Sequence, residues 1–207
     1  MRRIIIITGL VLIAGNVIVS KTSEALAPTI EIAEVKVKQV PKPLPLPKAK
    51  AIDIDQMHCL ATNIYHEARG ESIEGKFAVG HVTLNRVNSE RYPNSICGVV
   101  YQAELRENWK GNMVPKRHRC QFSWFCDGKS DDIVLKTSSG KIIQKNMEAW
   151  EDSLDVATAL LKHDIQDITS GATHYYNDKI ADPFWADVYV KVAQIDNHVF
   201  HRQTTIY

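Results

Sequence analysis

The sequence lacks any large imbalance of charge, since 25 Lys and Arg face 24 Asp and Glu among 207 residues, for a formal net charge of +1. Nucleic acids are held first by phosphate neutralisation, so a chain without surplus positive charge carries no bulk footprint for them. No G-x-x-x-x-G-K-[ST] loop, G-x-G-x-x-G fingerprint or G-x-S-x-G elbow occurs, which sets aside nucleotide-phosphate and α/β-hydrolase chemistry. There is also no C-x-x-C, the spacing that two zinc-binding cysteines favour. His66-Glu67 starts like the zinc helix H-E-x-x-H, but position 70 is Gly and the second ligand is missing. With only 10 Gly and 8 Pro, 44% hydrophobic and 24% charged residues, the chain is neither collagen-like nor globally disordered. No internal repeat is visible.

The ends of the chain differ in kind. Arg2 and Arg3 precede an uncharged run from Ile4 to Ser20, and Ala25-Leu26-Ala27 offers the small-x-small site of a signal peptidase. Residues 1–27 are therefore expected to be a signal peptide, with a retained membrane anchor as the alternative. No Cys follows the run, which leaves out a lipoprotein anchor. Pro41, Pro43, Pro45 and Pro47 block helix and sheet alike, so residues 28–50 read as an extended Pro/Lys-rich spacer. Residues 1–50 hold 8 Lys/Arg against 3 Asp/Glu, leaving 17 against 21 in residues 51–207. Those 157 residues are enough for one core, burying on the order of 70% of the unfolded chain's surface. Cys59, Cys97, Cys120 and Cys126 all fall there, and an even count in an exported chain predicts two disulfides with three possible pairings. The expected location is periplasmic or extracellular, with inner-membrane tethering if the leader stays.

Apolar periodicity predicts a helix from Ile54 to Ala68, with Asp53 and Gln56 spaced as a capping box and Gly70 just past its end. A second helix is expected after Ser72 along Ile73, Phe77, Gly80, Leu84 and Val87. Residues 94–102 read as a shorter helix, and 104–145 as a long irregular loop. Trp150, Ser153, Leu154, Ala157, Leu160 and Leu161 mark another helix. Thr173–Tyr176 reads as a short strand, and Val188–Ala193 with His198–Thr204 as a hairpin turning at Asp196-Asn197. Helices first and strands last predict an α+β domain.

Glu67 stands out because it falls in the last turn of the first helix, where carbonyl dipoles disfavour an ionised carboxylate. It also sits on the flank of the apolar stripe, near Leu60 and Ile64. Both effects raise a carboxyl pKa, as a general acid for a glycosidic oxygen requires. Glu71 and Glu74 are candidate second carboxylates, but Gly70 breaks the register, so neither retaining nor inverting geometry follows.

With these residues in place the domain resembles the SleB-type cell-wall hydrolases, known from spore-cortex lysis and from peptidoglycan-cutting enzymes of bacteria and phages. The resemblance covers nearly all of residues 56–204. It is carried by Cys59-Leu60-Ala61, His66-Glu67-Ala68-Arg69-Gly70-Glu71, Ala78 through Val87, Tyr92-Pro93-Asn94, Gly98 through Gln102 and Cys120-Gln121-Phe122-Ser123-Trp124. Gly171 through Tyr176, Pro183-Phe184-Trp185 and Asn197 through Phe200 complete it. It implies a lysozyme-like single catalytic domain, N-terminal helices followed by a small antiparallel sheet, in which one Glu, matched by Glu67, cleaves the β-1,4 bond between N-acetylmuramic acid and N-acetylglucosamine. It also implies lytic transglycosylation, in which the muramyl 6-hydroxyl attacks C1 and no second nucleophilic carboxylate is needed.

Substrate contacts are then expected from Glu71, from Gln121, Ser123 and Trp124 as a cleft floor, and from His174, Tyr175 and Tyr176, with Trp185 and His198 ranking below them. Core packing is the competing account of Trp124. The run Lys116-Arg117-His118-Arg119 reads as a solvated loop or as a contact with an anionic wall polymer. The partner implied is the peptidoglycan glycan strand, met by a monomer that needs no metal or other cofactor, binds no nucleic acid and touches membrane only through its N-terminal segment. Two other readings share the wall as partner: a muramoyl-peptide amidase, ordinarily a zinc enzyme, and a binding module without catalysis.

Overall fold

Asp53 opens the first helix: its carboxylate accepts from the amides of Asp55 at 3.0 Å and Gln56 at 3.2 Å. The computed structural model describes residues 51–203, so the expected leader and spacer lie outside the described residues. Only half of the expected capping box forms, because the Gln56 side chain turns to Cys97, accepting from its amide at 3.2 Å. The helix, α1, spans Ile54–Ala68, and Gly70 follows its Arg69 cap without adopting a left-handed conformation. Ser72 then caps α2 (Ile73–Val87), its hydroxyl accepting from the Gly75 amide at 3.1 Å. A short α3 (Ile96–Val100) and the long α4 (Gln144–Lys162) complete the helical layer.

α1 lies at the centre of this layer, with Leu60, Ala61 and Ile64 fully buried among Val79, Val99, Val100 and Ala157. Gly80 lets α2 approach closely, since a Cβ there would run into the ends of the Leu160 and Ile64 side chains. A polar thread runs through the same core. Asn63, fully buried, donates to Thr83 Oγ1 at 3.1 Å and accepts from the Trp124 indole at 3.0 Å.

The region expected to be an irregular loop begins instead with an antiparallel hairpin, β1 (Ala103–Glu107) and β2 (Met113–Cys120), closed by the 3-10 turn Ser123–Cys126. Most residues of both strands are exposed on either face, so no apolar alternation marks them in the sequence. β3 (His174–Asn177), β4 (Val190–Ile195) and β5 (His198–Arg202) form an antiparallel sheet in the order β3-β5-β4. Val188, expected to open the hairpin, lies before β4 and is exposed. Phe200, on central β5, packs with Ala78, Val82 and Ala172 and so lays the sheet against α2. Helices first and a small antiparallel sheet last are the α+β order that the sequence predicts.

Of the three cysteine pairings left open, the fold takes Cys59–Cys97, which ties α1 to α3, and Cys120–Cys126, which ties β2 to the 3-10 turn. Among the described residues no helix is long and apolar enough to cross a membrane.

Candidate active site

Glu67 occupies the last turn of α1, as the sequence predicts, and is partly buried there. From the sheet, Tyr175 on β3 reaches across and donates its hydroxyl proton to Glu67 Oε2 at 2.9 Å. Burial is the largest influence on the carboxyl and raises its pKa, while the Tyr175 hydrogen bond and then the positive charge of Arg86 pull it back. The tyrosine responds in kind. Its pKa rises well above the usual value because it is buried and then because it faces Glu67, so it stays a donor.

Arg86, in the last turn of α2, also acts on this carboxyl, and the sequence reading quoted it within a motif without giving it a role. It is only 5% exposed, its Nε donates to the Thr173 carbonyl at 2.8 Å, and its guanidinium lies 4.8 Å from the centre of the Phe122 ring and 5.5 Å from that of Tyr92. Its Nη1 is buried without a protein partner. Burial lowers the Arg86 pKa, and Tyr175, Tyr92 and Glu67 act against that fall. Next to it, Asn85 donates to Asp167, Thr169 and the Ala172 carbonyl at 2.9, 3.3 and 3.0 Å. Asn85 and Arg86 together thus fix the segment that delivers β3, and with it the Tyr175 hydroxyl. The available signal was the spacing of Lys76, Val79, Thr83 and Arg86, a helical face that is buried although it reads as polar.

Strand alternation divides the trio expected to contact substrate. Tyr175 faces the helices, whereas His174 and Tyr176 take the opposite face and pack with Trp185, the ring centroids lying 5.3 and 5.7 Å apart. Burial depresses the His174 pKa to about 4, helped by Arg86 and His201. Glu71 is partly exposed just past α1 and accepts from Asn197 Nδ2 at 3.4 Å on each oxygen, beside His198. His198 is 5% exposed, its Nδ1 has no partner, and it makes an edge contact with Tyr175 at 5.2 Å. Trp124 takes the packing role rather than forming an open floor. It is 9% exposed, its indole N–H is committed to Asn63, and His66 stacks on it at 4.4 Å and 17°. Gln121 and Ser123 are exposed, and Gln121 walls a cavity of about 450 Å³ beside β2. Glu67 is not among the residues lining that cavity or four others of about 280 to 550 Å³; it meets solvent where α1 ends against β3.

Burial at the helix end keeps the Glu67 carboxyl protonated to higher pH than a free carboxyl, and the Tyr175 hydrogen bond works against that rise. Among the described residues no group of three His, Cys, Asp or Glu side chains is arranged to hold a metal ion.

Residues 70–201 match the Cell Wall Hydrolase family, and the chain belongs to that family. Glu67 lies three residues before the matched stretch. The chain is similar to the spore cortex-lytic enzymes of Oceanobacillus iheyensis and Bacillus subtilis, 27% identical to each over 146 residues, or 70% of its length. It spans 41% and 37% of those relatives' own lengths. Among solved structures it is similar to the catalytic domain of the Bacillus cereus SleB protein, with a TM-score of 0.48 and 23% identity over 74% of this chain and 94% of that one. The catalytic domain of the germination-specific lytic transglycosylase SleB from Bacillus anthracis gives a TM-score of 0.48 and 24% identity over 74% and 98%.

Proposed function

We propose that this protein is a peptidoglycan-degrading enzyme that acts outside the cytoplasm and cleaves the glycosidic bond between N-acetylmuramic acid and N-acetylglucosamine, with Glu67 as its general acid. The observation that carries this reading is the Tyr175–Glu67 hydrogen bond of 2.9 Å at a desolvated helix end. Membership of the cell wall hydrolase family supports the polymer class.

The geometry suits lytic transglycosylation. The Glu67 proton passes to the bridging oxygen as its bond to the muramyl C1 breaks, and positive charge develops at C1. Tyr175 and Arg86 then face a carboxylate and stabilise it in its ionised form. The muramyl 6-hydroxyl attacks C1 and returns its proton to Glu67, giving an anhydro sugar with no water consumed. Among the described residues Arg86 is the charged group that acts on the Glu67 carboxyl, and this route asks for no second carboxylate.

The test is Glu67→Gln in the full chain, assayed on purified sacculi with mass spectrometry of the released muropeptides. The expected result is anhydro-muramyl ends from the unmodified protein and a loss of release by about 10²- to 10⁴-fold in the variant. Undiminished release by a folded Glu67→Gln protein overturns the assignment. Reducing ends would instead mark hydrolysis, free stem peptides would mark an amidase, and sacculus binding without any release would mark a binding module.

A further inference from the structure

The β1–β2 hairpin contributes no group to the Glu67 site, and it is the most cationic part of the domain. Residues 103–129 carry six Lys and Arg against three Asp and Glu, while the rest of residues 51–207 carries 11 against 18. Two of the six cations are paired, Lys116 with Glu104 at 3.2 Å and Lys129 with Asp127 at 3.4 Å. Among the described residues Arg106, Lys110, Arg117 and Arg119 have no carboxylate within ion-pair distance.

Where the hairpin meets the 3-10 turn, Arg106, Arg117 and Lys129 surround a cavity of about 280 Å³ that also has the Phe125 ring in its wall and no acidic side chain lining it. At the tip, Asn108 Oδ1 accepts from the Lys110 and Asn112 amides, at 2.9 and 3.0 Å, and holds the turn in shape. Trp109 on that turn is 89% exposed, with the Lys110 ammonium 4.6 Å from its ring centre. Three residues of strand separate the tip from Arg106, about 10 Å.

An indole left in water beside a cationic cup matches one kind of polymer well. A flat apolar ring stacks on the C–H face of a pyranose, and guanidinium forks grip carboxylates in pairs. We infer that the β1–β2 arm is a second docking surface for an anionic glycopeptide strand, with Trp109 stacking on a sugar and the unpaired Arg106 and Arg117 receiving stem-peptide carboxylates. The inference rests on peptidoglycan being the polymer that the enzyme cuts. Each exposed contact is weak alone, but a strand held at the arm raises the local concentration of its neighbouring bonds at Glu67.

The experiment uses the full chain carrying Glu67→Gln, which leaves sacculi intact, and measures co-sedimentation with purified sacculi. Trp109→Ala and the double variant Arg106→Gln/Arg117→Gln are each expected to weaken binding about tenfold, the loss of roughly 1.4 kcal/mol of contact, and added salt should abolish the difference for the arginine variant. With Glu67 restored, the arm variants should lose rate on sub-saturating sacculi but keep it on short soluble glycan fragments. Unchanged binding in both variants overturns the proposal, as does an equal loss of rate on both substrates. Loss of binding to anionic phospholipid vesicles with sacculus binding retained would reassign the arm to a membrane and overturn it too. A chain that digests sacculi while its arm variants bind normally defeats only the arm; one whose unmodified form neither binds nor digests them defeats the proposed function.

Discussion

At the scale of single residues, the proposed chemistry draws on three groups brought from three elements: Glu67 from α1, Tyr175 from β3 and Arg86 from α2. Burial holds the Glu67 proton on, while the phenol and the guanidinium favour its release. Removing the phenol tips the balance in a definite direction. In Tyr175→Phe the carboxyl loses a hydrogen bond that lowers its pKa, so it stays protonated to higher pH. The alkaline limb of the kcat/KM profile should therefore move upward, with kcat/KM at the optimum lower by about tenfold, the value of one hydrogen bond to a charged group. A profile that keeps its alkaline limb in place would show that Tyr175 does not tune the acid.

Single elements are held in register by links that the hydrophobic pattern does not contain. Asp196, in the β4–β5 turn with φ of 51°, accepts from the Ser72 amide at 2.9 Å and its hydroxyl at 2.6 Å, which ties the sheet to the start of α2. Cys59–Cys97 ties α1 to α3 across 38 residues. Closing a loop of that length restricts the unfolded chain by about 4 kcal/mol in the chain-entropy account. The double variant Cys59→Ser/Cys97→Ser should lower stability by about 3–4 kcal/mol in denaturant titration. The six-residue loop of Cys120–Cys126 predicts a smaller effect, about 2 kcal/mol. Equal losses for the two bridges would contradict that account.

For the whole molecule, buried and half-buried histidines contribute to the response to acid. His66, His81, His174 and His198 all have pKa values lowered chiefly by burial, that of His174 to about 4. The unfolded chain binds their protons first as pH falls, so their contribution to stability is present above about pH 6.5 and declines below it, for His174 down to about pH 4. Thermal unfolding should show Tm falling steadily between those limits, and His174→Phe, if it folds, should flatten the slope. A Tm independent of pH across that window would refute this.

The sequence by itself determined what depends on local periodicity and capping: α1 with Asp53, α2 with Ser72, the sheet at the C-terminal end and the helix-end position of Glu67. Apolar period, caps and turn residues act over a few positions, so a linear reading recovers them. The tertiary structure alone decided which cysteines pair and that Tyr175, 108 residues away, donates to Glu67. It also decided that His174 and Tyr176 point elsewhere, that Trp124 is packed under His66, and that Arg86 stands behind the acid. The β1–β2 hairpin escaped because a strand solvated on both faces leaves no hydrophobic period. Partners of that kind are set by how α1, α2 and β3 pack, a property of distances in space that no spacing along the chain encodes.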